Sequence, residues 1–498
     1  MMEDAVLASW ADVRRARWSE LTQAVRRHKP SELLPILARL ASGQCEFEFD
    51  RSWKGLPPWG IAAVARESIL CGSEMRSKPV DQRALRRIFN LFNQANGGIP
   101  EGKHLWLMIQ AFLYEQFSYQ DSPLHDIART FLLLVDLEVE DPRFPAHRDW
   151  REVLGMTLEE RMQVVFAISV YVKENAGLLD PSAPERDRWQ DLPFSPALRL
   201  DSVATAISDL TTTIDQARSD YEAVPRVAEH LHRFGYSPLT KKPLVDLNTG
   251  LLVAPQWLLI LRTMTIENLY YAACAKWGNN FAEELGVRVE AYTGMQLRYA
   301  GFQDVLPEIS YGKGKKLSVD WFVVTEEIVL LFECKSAKIP LAARAGGISM
   351  ENLLKTAIGK AREQIKKSSG LVREGHSEFS AIPSGLSQIG IIVTAEPIYS
   401  ANDYLFNEEL PDPGIPCLTI SLKELELLTA LGSQMMVQVL SKIVNREHFA
   451  VWSVHNAIVD ALGHQGLPAN KIVVDAFDEF VIPRVCPSSR ISGCSDSD

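Results

Sequence analysis

The stretch SVDWFVVTEEIVLLFECKS, Ser318 to Ser336, constrains the fold more than any other part of the chain. Its two apolar runs, WFVV and IVLLF, are rich in β-branched and aromatic residues. They flank Thr325-Glu326-Glu327 and predict a buried hairpin. A tight turn at Glu326-Glu327 pairs Thr325 with Ile328, and counting outward sets Asp320 opposite Glu333. The turn residues are not the favoured Asn-Gly type, so a register shifted by one residue stays open. Side chains alternate along a strand, so Glu333 and Lys335 share a face and Cys334 takes the other. Two charges on one face at the end of a core strand call for a partner there.

The order of elements around the hairpin predicts a mixed α/β unit. Two short strands surround a turn at Asn248-Thr249-Gly250, and a long helical stretch runs from Gln256 to Gly301. Strands follow at about 317–324 and 328–335, then a helix in SMENLLKTAIGKAREQIKKSSGLV, then strands in SQIGIIVTAEP and PCLTISL. Upstream the pattern differs. Residues 1–225 carry apolar residues at spacings of three and four, as in DQRALRRIFNLFNQA, and predict an all-helical module. Within it, 178–196 is the best linker candidate. The domains expected are therefore 1–225, 226–430, a helical extension over 431–485 and a disordered polar tail at 486–498.

A chain of 498 residues suggests two to four domains at a prior of about 150 residues each. Seven scattered cysteines with no C-x-x-C pair argue against a disulfide framework or a zinc ribbon and predict a reducing, cytoplasmic setting. The N-terminal residues lack the apolar core of a signal peptide, and no apolar run approaches the ~20 residues of a membrane span. The net charge of -11 disfavours a general nucleic-acid coat protein. Yet Tyr311 to Arg373 holds twelve Lys and Arg against six Asp and Glu, so a local basic site is compatible with it.

Two carboxylates facing each other across a hairpin repel unless a cation separates them. Mg²⁺ takes oxygen ligands, commonly one or two carboxylates plus a phosphate. Lys335 beside them is suited to stabilising developing negative charge or orienting water. Asp320, twelve intervening residues and then Glu333-Cys334-Lys335 resemble the D…(D/E)-x-K signature of the PD-(D/E)XK nuclease superfamily, over roughly residues 240 to 425. The proline of the signature is missing, since Val319 precedes Asp320. A second Glu-x-Lys, Glu101-Gly102-Lys103, lies in a Pro/Gly-rich loop with no strand before it and is read as structural.

The resemblance implies an α/β fold class: a restriction-endonuclease-like core with a mixed sheet, joined to a large all-α N-terminal region. It implies a Mg²⁺-dependent nuclease, with Mn²⁺ as a substitute, in which Asp320 and Glu333 hold the metal. The segment FAEELGVRVEAYTGMQL is similar to a family segment that selects Glu290 as a further acid, ahead of Glu283 and Glu284. Gln364, with Lys360 and Lys367 on its helix face, and Lys313, Lys315 and Lys316 in the loop YGKGKK are candidate contacts to nucleic acid. The substrate expected is DNA rather than RNA, with bacterial defence against phage as a setting. The helical module would recognise another protein, a second copy or the nucleic acid. The alternatives are an RNase, and a nuclease-like fold that binds or assembles without catalysis.

Overall fold

The computed structural model describes residues 16–43, 56–95, 111–116, 119, 122–192, 198–227, 229–336, 348–399, 401–402, 407–408, 410–445, 454–463 and 466–480. The polar tail at 486–498 and the Glu101-Gly102-Lys103 loop lie outside them. The described residues form two compact units. The first takes those within Met1–Pro123 and Glu160–Met264, the second those within Leu124–Glu159 and Thr265–Arg484.

The first unit begins with four helices, α1 (Trp18–Val25), α2 (Pro30–Ala41), α3 (Pro58–Cys71) and α4 (Gln82–Gln94). In α4, Leu85, Ile88, Phe89 and Phe92 recur at helical spacing and are all buried, and Asp81 caps the helix by accepting from the Ala84 N–H at 2.7 Å. This part is not purely helical. Strands β1 (Leu178–Leu179) and β2 (Thr211–Thr213) join β3 (Leu244–Asp246) and β4 (Leu252–Val253) in a sheet of order β1-β4-β3-β2. The Thr211–Thr213 run explains one departure: three β-branched residues interrupt what the spacing suggests is a single helix over 202–223. The linker expected at 178–196 is also structured as far as it is described. It contains β1 and a helical turn at Ala183–Arg186, and Trp189 is buried.

The division does not fall at residue 225. Leu239, Val245, Val253 and Leu259 belong to the same core as Trp18, Leu37 and Phe92, so 226–264 pack with the first unit. Residues 124–159 go to the second unit because buried polar groups hold them there. Arg148 pairs with Glu284 at 2.5 Å, and Arg288 donates to the Leu133 and Leu137 carbonyls at 3.1 and 2.9 Å.

The second unit is a mixed α/β structure. Helix α5 (Asn279–Tyr299) leads into β5 (Asp304–Pro307), then a small hairpin of β6 (Ser310–Tyr311) and β7 (Lys316–Leu317). Next come β8 (Trp321–Val324), β9 (Ile328–Lys335), helix α6 (Ile348–Arg373), β10 (Ser387–Thr394), β11 (Cys417–Ser421) and α7 (Leu422–Thr429). The main sheet has the order β11-β10-β9-β8-β5. β10 runs parallel to β9 and β11, while β8 runs antiparallel to β9 and β5. The parallel step from β9 to β10 needs a crossover, and α6 supplies it.

Helices cover the sheet on both faces. α5 packs on the face of Trp321 and Cys334, whose thiol lies 3.4 Å from the Thr293 hydroxyl. α6 packs on the other face, where Gly390 gives Ile365 room: a Cβ there would lie 2.8 Å from it. Val329, Leu330, Leu331 and Phe332 have no exposed surface. Each such side chain contributes about 1.5–3 kcal/mol relative to exposure, enough to anchor charged residues at the end of the same strand. The described residues of the 431–485 segment pack in the second unit, where Asn470 donates to Gln296 Oε1 at 2.8 Å and to the Glu426 carbonyl at 3.0 Å.

Candidate functional site

The hairpin has the register that a tight turn at Glu326-Glu327 produces. Thr325 closes it, its N–H donating to the Ile328 carbonyl at 3.0 Å, and Trp321 stands opposite Phe332. Asp320 and Glu333 are the next residue on each strand beyond that last pair, and the Asp320 charge acts on Glu333. Pro307 and Trp321 are the last pair of β5 and β8, and Glu308, the next residue after β5, lies in the field of Asp320. Three acids thus lie in a row at one end of three adjacent strands. Sequence reading missed Glu308. The signal was present in DVLPEIS, a short alternating strand that ends in a proline, which suits the sheet edge where β5 lies.

Each acid in the row is held differently. Asp320 Oδ2 accepts the Cys334 N–H at 2.5 Å, which ties the two strands together where the ladder ends. Glu333 is 1% exposed. Its Oε1 lies 2.5 Å from Lys335 Nζ, and its Oε2 is buried with no hydrogen-bond partner among the described residues. Leaving a buried carboxylate oxygen unsatisfied costs about 1–3 kcal/mol or more, so this atom is where a ligand would act. Glu290 is on α5, and its backbone carbonyl accepts from Trp321 Nε1 at 2.9 Å. That bond docks the helix onto β8, the strand that starts directly after Asp320.

The electrostatics are those of crowded acids. Burial, then Asp320, pushes the Glu333 carboxyl up to about 8 against the pull of Lys335. Burial, then Asp320 and Glu308, pushes Glu290 up to about 7. Glu308 rises by burial and by Asp320, and Asp320 rises by burial although the Cys334 N–H and Lys335 oppose it. For Lys335, burial works against the charge, but the Glu333 carboxylate outweighs it and the ammonium is held above its ordinary range. Lys335 is therefore a fixed cation rather than a base. Burial also keeps the Cys334 thiol well above its usual range, which removes it as a nucleophile.

The other acids on α5 separate cleanly. Glu284 is buried in ion pairs with Arg148 and Arg288, at 2.5 and 2.8 Å. Glu283 is exposed and accepts from Asn279 at 2.6 Å. Only Glu290 shares the field of Asp320. Gln364 does not project freely from α6: its Nε2 donates to the Ser318 carbonyl at 2.6 Å, two residues before Asp320. Lys360 and Lys367 are exposed on the same helix, and Lys313, Lys315 and Lys316 are exposed in the hairpin of β6 and β7.

The acids share one field without closing on one point. Among the described residues, no group of three or more His, Cys, Asp or Glu is arranged to hold a metal ion. The donor chemistry nonetheless suits a hard divalent cation, because the row offers carboxylate oxygens and no imidazole, and one of those oxygens is buried and unbonded. No helix among the described residues is long and apolar enough to cross a membrane. No protein-family model matches the chain, and no curated protein matches it.

Proposed function

We propose that the second unit carries a restriction-endonuclease-like core and that the chain is a Mg²⁺-dependent nuclease hydrolysing phosphodiester bonds in DNA. One observation carries this reading: Asp320 and Glu333 follow the last pair of a buried hairpin and act on each other's charge, with Glu333 Oε2 unbonded among the described residues and Lys335 two residues on. Asp320, Glu333 and Glu290 would hold the cation. When bound, it would neutralise the acids and lower the pKa of water at the scissile phosphate. Mn²⁺ would substitute for it.

The chain's own residues divide the remaining work. The Cys334 N–H fixes the Asp320 carboxylate, and Gln364 fixes the backbone that leads into it. Lys335, protonated at neutral pH, presents positive charge to the phosphate oxygens as charge develops on them. Exposed Lys313, Lys315, Lys316, Lys360 and Lys367 offer phosphate contacts outside the centre. With a net charge of -11, the rest of the chain gives weak non-specific affinity for DNA, so a partner or trigger would bring substrate to the site.

The open spacing of the acids favours one competing reading, a nuclease-like module that binds without cutting. One assay separates the readings. Purified protein is incubated with Mg²⁺ or Mn²⁺ and plasmid, single-stranded DNA or RNA, beside Asp320→Ala and Lys335→Ala. DNA cleavage that both variants lose supports the proposal. Cleavage of RNA alone makes the protein an RNase. No cleavage and no metal binding leaves the binding module.

A further inference from the structure

The hairpin of β6 and β7 stands apart from the main sheet. Among the described residues its strands pair only with each other, Ser310 with Leu317 and Tyr311 with Lys316. The Lys315 N–H closes the tip by donating to the Gly312 carbonyl at 3.1 Å. Beyond its chain neighbours, a Cβ at Gly312 or Gly314 would meet no described atom within 4 Å, so the tip projects from the body of the unit.

Ser310 to Leu317 holds three lysines and no acid, in a chain of net charge -11. Lys313, Lys315 and Lys316 are all exposed. Lys315 has φ +45°, a left-handed backbone that glycine or asparagine adopts at less cost. Turn geometry does not account for a lysine there, whereas its charge does. Glu378 reaches the hairpin from outside, bonds the Gly312 backbone and lies 2.7 Å from His376 Nδ1, so it is engaged by other groups. Beside the lysines, Leu317 is 52% exposed, an apolar side chain on a basic arm.

The foot of the arm is tied down. The Ser318 N–H donates to the Ile309 carbonyl at 3.0 Å, and the Ile309 N–H donates to Ser318 Oγ at 2.8 Å. Gln364 donates to the Ser318 carbonyl, and Ser368 Oγ accepts the Val319 N–H at 3.0 Å. Helix α6 thus grips both sides of a single peptide unit. The Tyr311 ring packs on Phe379 with centroids 5.8 Å apart. These bonds give the arm a set position relative to Asp320, three residues beyond Leu317.

Shape selects the partner. Single strands are held on exposed aromatic rings that stack bases, and the one ring on this arm, Tyr311, is already packed. A two-stranded ribbon fits the major groove of B-DNA, about 12 Å wide, and not the minor groove, about 6 Å wide. Three residues span at most about 10 Å, so a ribbon in the groove sets Asp320 at a phosphate backbone that borders it.

We propose that the hairpin of β6 and β7 is an arm for double-stranded DNA. It enters the major groove with Leu317 against the base edges and with Lys313, Lys315 and Lys316 on the flanking phosphates. This rests on the nuclease reading and deepens it, naming the duplex as substrate and the groove from which the site approaches it.

The test is fluorescence anisotropy of the full chain in EDTA, on a labelled duplex and on one of its strands alone. Wild type is compared with Leu317→Ser and with Lys313→Ala, Lys315→Ala and Lys316→Ala combined. The charge-matched control combines Arg83→Ala, Arg86→Ala and Arg87→Ala, three exposed arginines of α4. The lysine variant should bind the duplex about tenfold or more weakly, with the slope of log affinity against log salt lowered by about 2–3. The arginine control should match wild type. Leu317→Ser should bind about threefold or more weakly at an unchanged slope, and should unfold at the wild-type temperature. Wild type should prefer the duplex to the single strand. Methyl green, which occupies the major groove, should displace it, and netropsin, in the minor groove, should not. No duplex binding, an equal loss in the arginine control, equal affinity for the single strand, or displacement by netropsin alone overturns the arm. So does a lower unfolding temperature for Leu317→Ser, since Leu317 would then belong to the fold. Wild type that binds the duplex as expected but cuts no DNA with Mg²⁺ or Mn²⁺ overturns the nuclease reading and leaves the arm standing. Duplex cleavage with kcat/KM equal in wild type and the lysine variant does the reverse.

Discussion

Lys335 folds back on Glu333, two residues earlier on the same strand, and sets its ammonium 2.5 Å from Oε1. The pair leaves the second carboxylate oxygen unbonded, so the lysine and a cation can act on Glu333 together. Lys335→Ala should therefore keep metal binding, or tighten it as Oε1 is released. Cleavage should fall by about 10²–10³, the usual effect of removing one group that stabilises transition-state charge. Mn²⁺ titration beside a plasmid-nicking assay reads both. Loss of binding along with cleavage would mean that Lys335 builds the centre rather than acts in it.

The Glu333 carboxyl stands at about 8 in the folded chain against an ordinary 4.5. A carboxyl raised in this way favours folding while it is protonated. Its contribution is full below the unfolded value and is lost as pH rises towards the folded one. In EDTA the unfolding temperature should fall between about pH 5 and pH 8, and Glu333→Gln should flatten that slope. A cation displaces the proton, so Mn²⁺ affinity should rise over the same interval. A metal-free stability profile that Glu333→Gln leaves unchanged would rule this out.

Gln364 and the lysines on its helix predict different phenotypes. Gln364→Ala removes the bond to the Ser318 carbonyl, a loss of about 0.5–1.5 kcal/mol in stability, and loosens the segment that positions Asp320. It should lower kcat and weaken Mn²⁺ binding with little change in the salt dependence of DNA binding. Lys360→Ala with Lys367→Ala should do the reverse. Metal binding should stay, and the slope of log affinity against log salt should drop by about 0.9 for each phosphate that is no longer neutralised. Fluorescence anisotropy over a salt series distinguishes them.

The parts legible in the sequence are those set by local pattern. Thr325 and Ile328 close the turn, and that alone sets Trp321 against Phe332 and brings Asp320 and Glu333 to the same end of the hairpin, because a hairpin's register depends on few residues. Helix α6 and strand β10 follow from their periodicity. The illegible parts depend on residues distant in sequence. Arg148 meets Glu284 across 136 positions, so nothing near residue 148 marks it as part of the second unit. Gln364 has the sequence setting of a surface residue, and only the fold brings it to the Ser318 carbonyl, 46 positions away. Glu308 is hard to single out because β5 has four residues and its partner strand decides what stands beside it.

Two glycines on α5 should respond in opposite ways to alanine. At Gly294 a Cβ would lie 2.3 Å from the Trp321 ring. The ring cannot shift freely: its Nε1 donates to the Glu290 carbonyl, and the Arg298 guanidinium lies over it at 4.8 Å. Gly294→Ala should cost about 1–3 kcal/mol through overpacking. Because Trp321 adjoins Asp320 and its indole holds Glu290, Mn²⁺ binding should weaken as well. Among the described residues, a Cβ at Gly286 would meet only Ser336 Oγ, at an ordinary 3.5 Å. Gly286→Ala should then stabilise the helix by about 0.5–1 kcal/mol and leave metal binding alone. Thermal unfolding with a parallel Mn²⁺ titration checks both. If the two variants behave alike, the close packing of α5 on Trp321 is not what holds Glu290 beside Asp320.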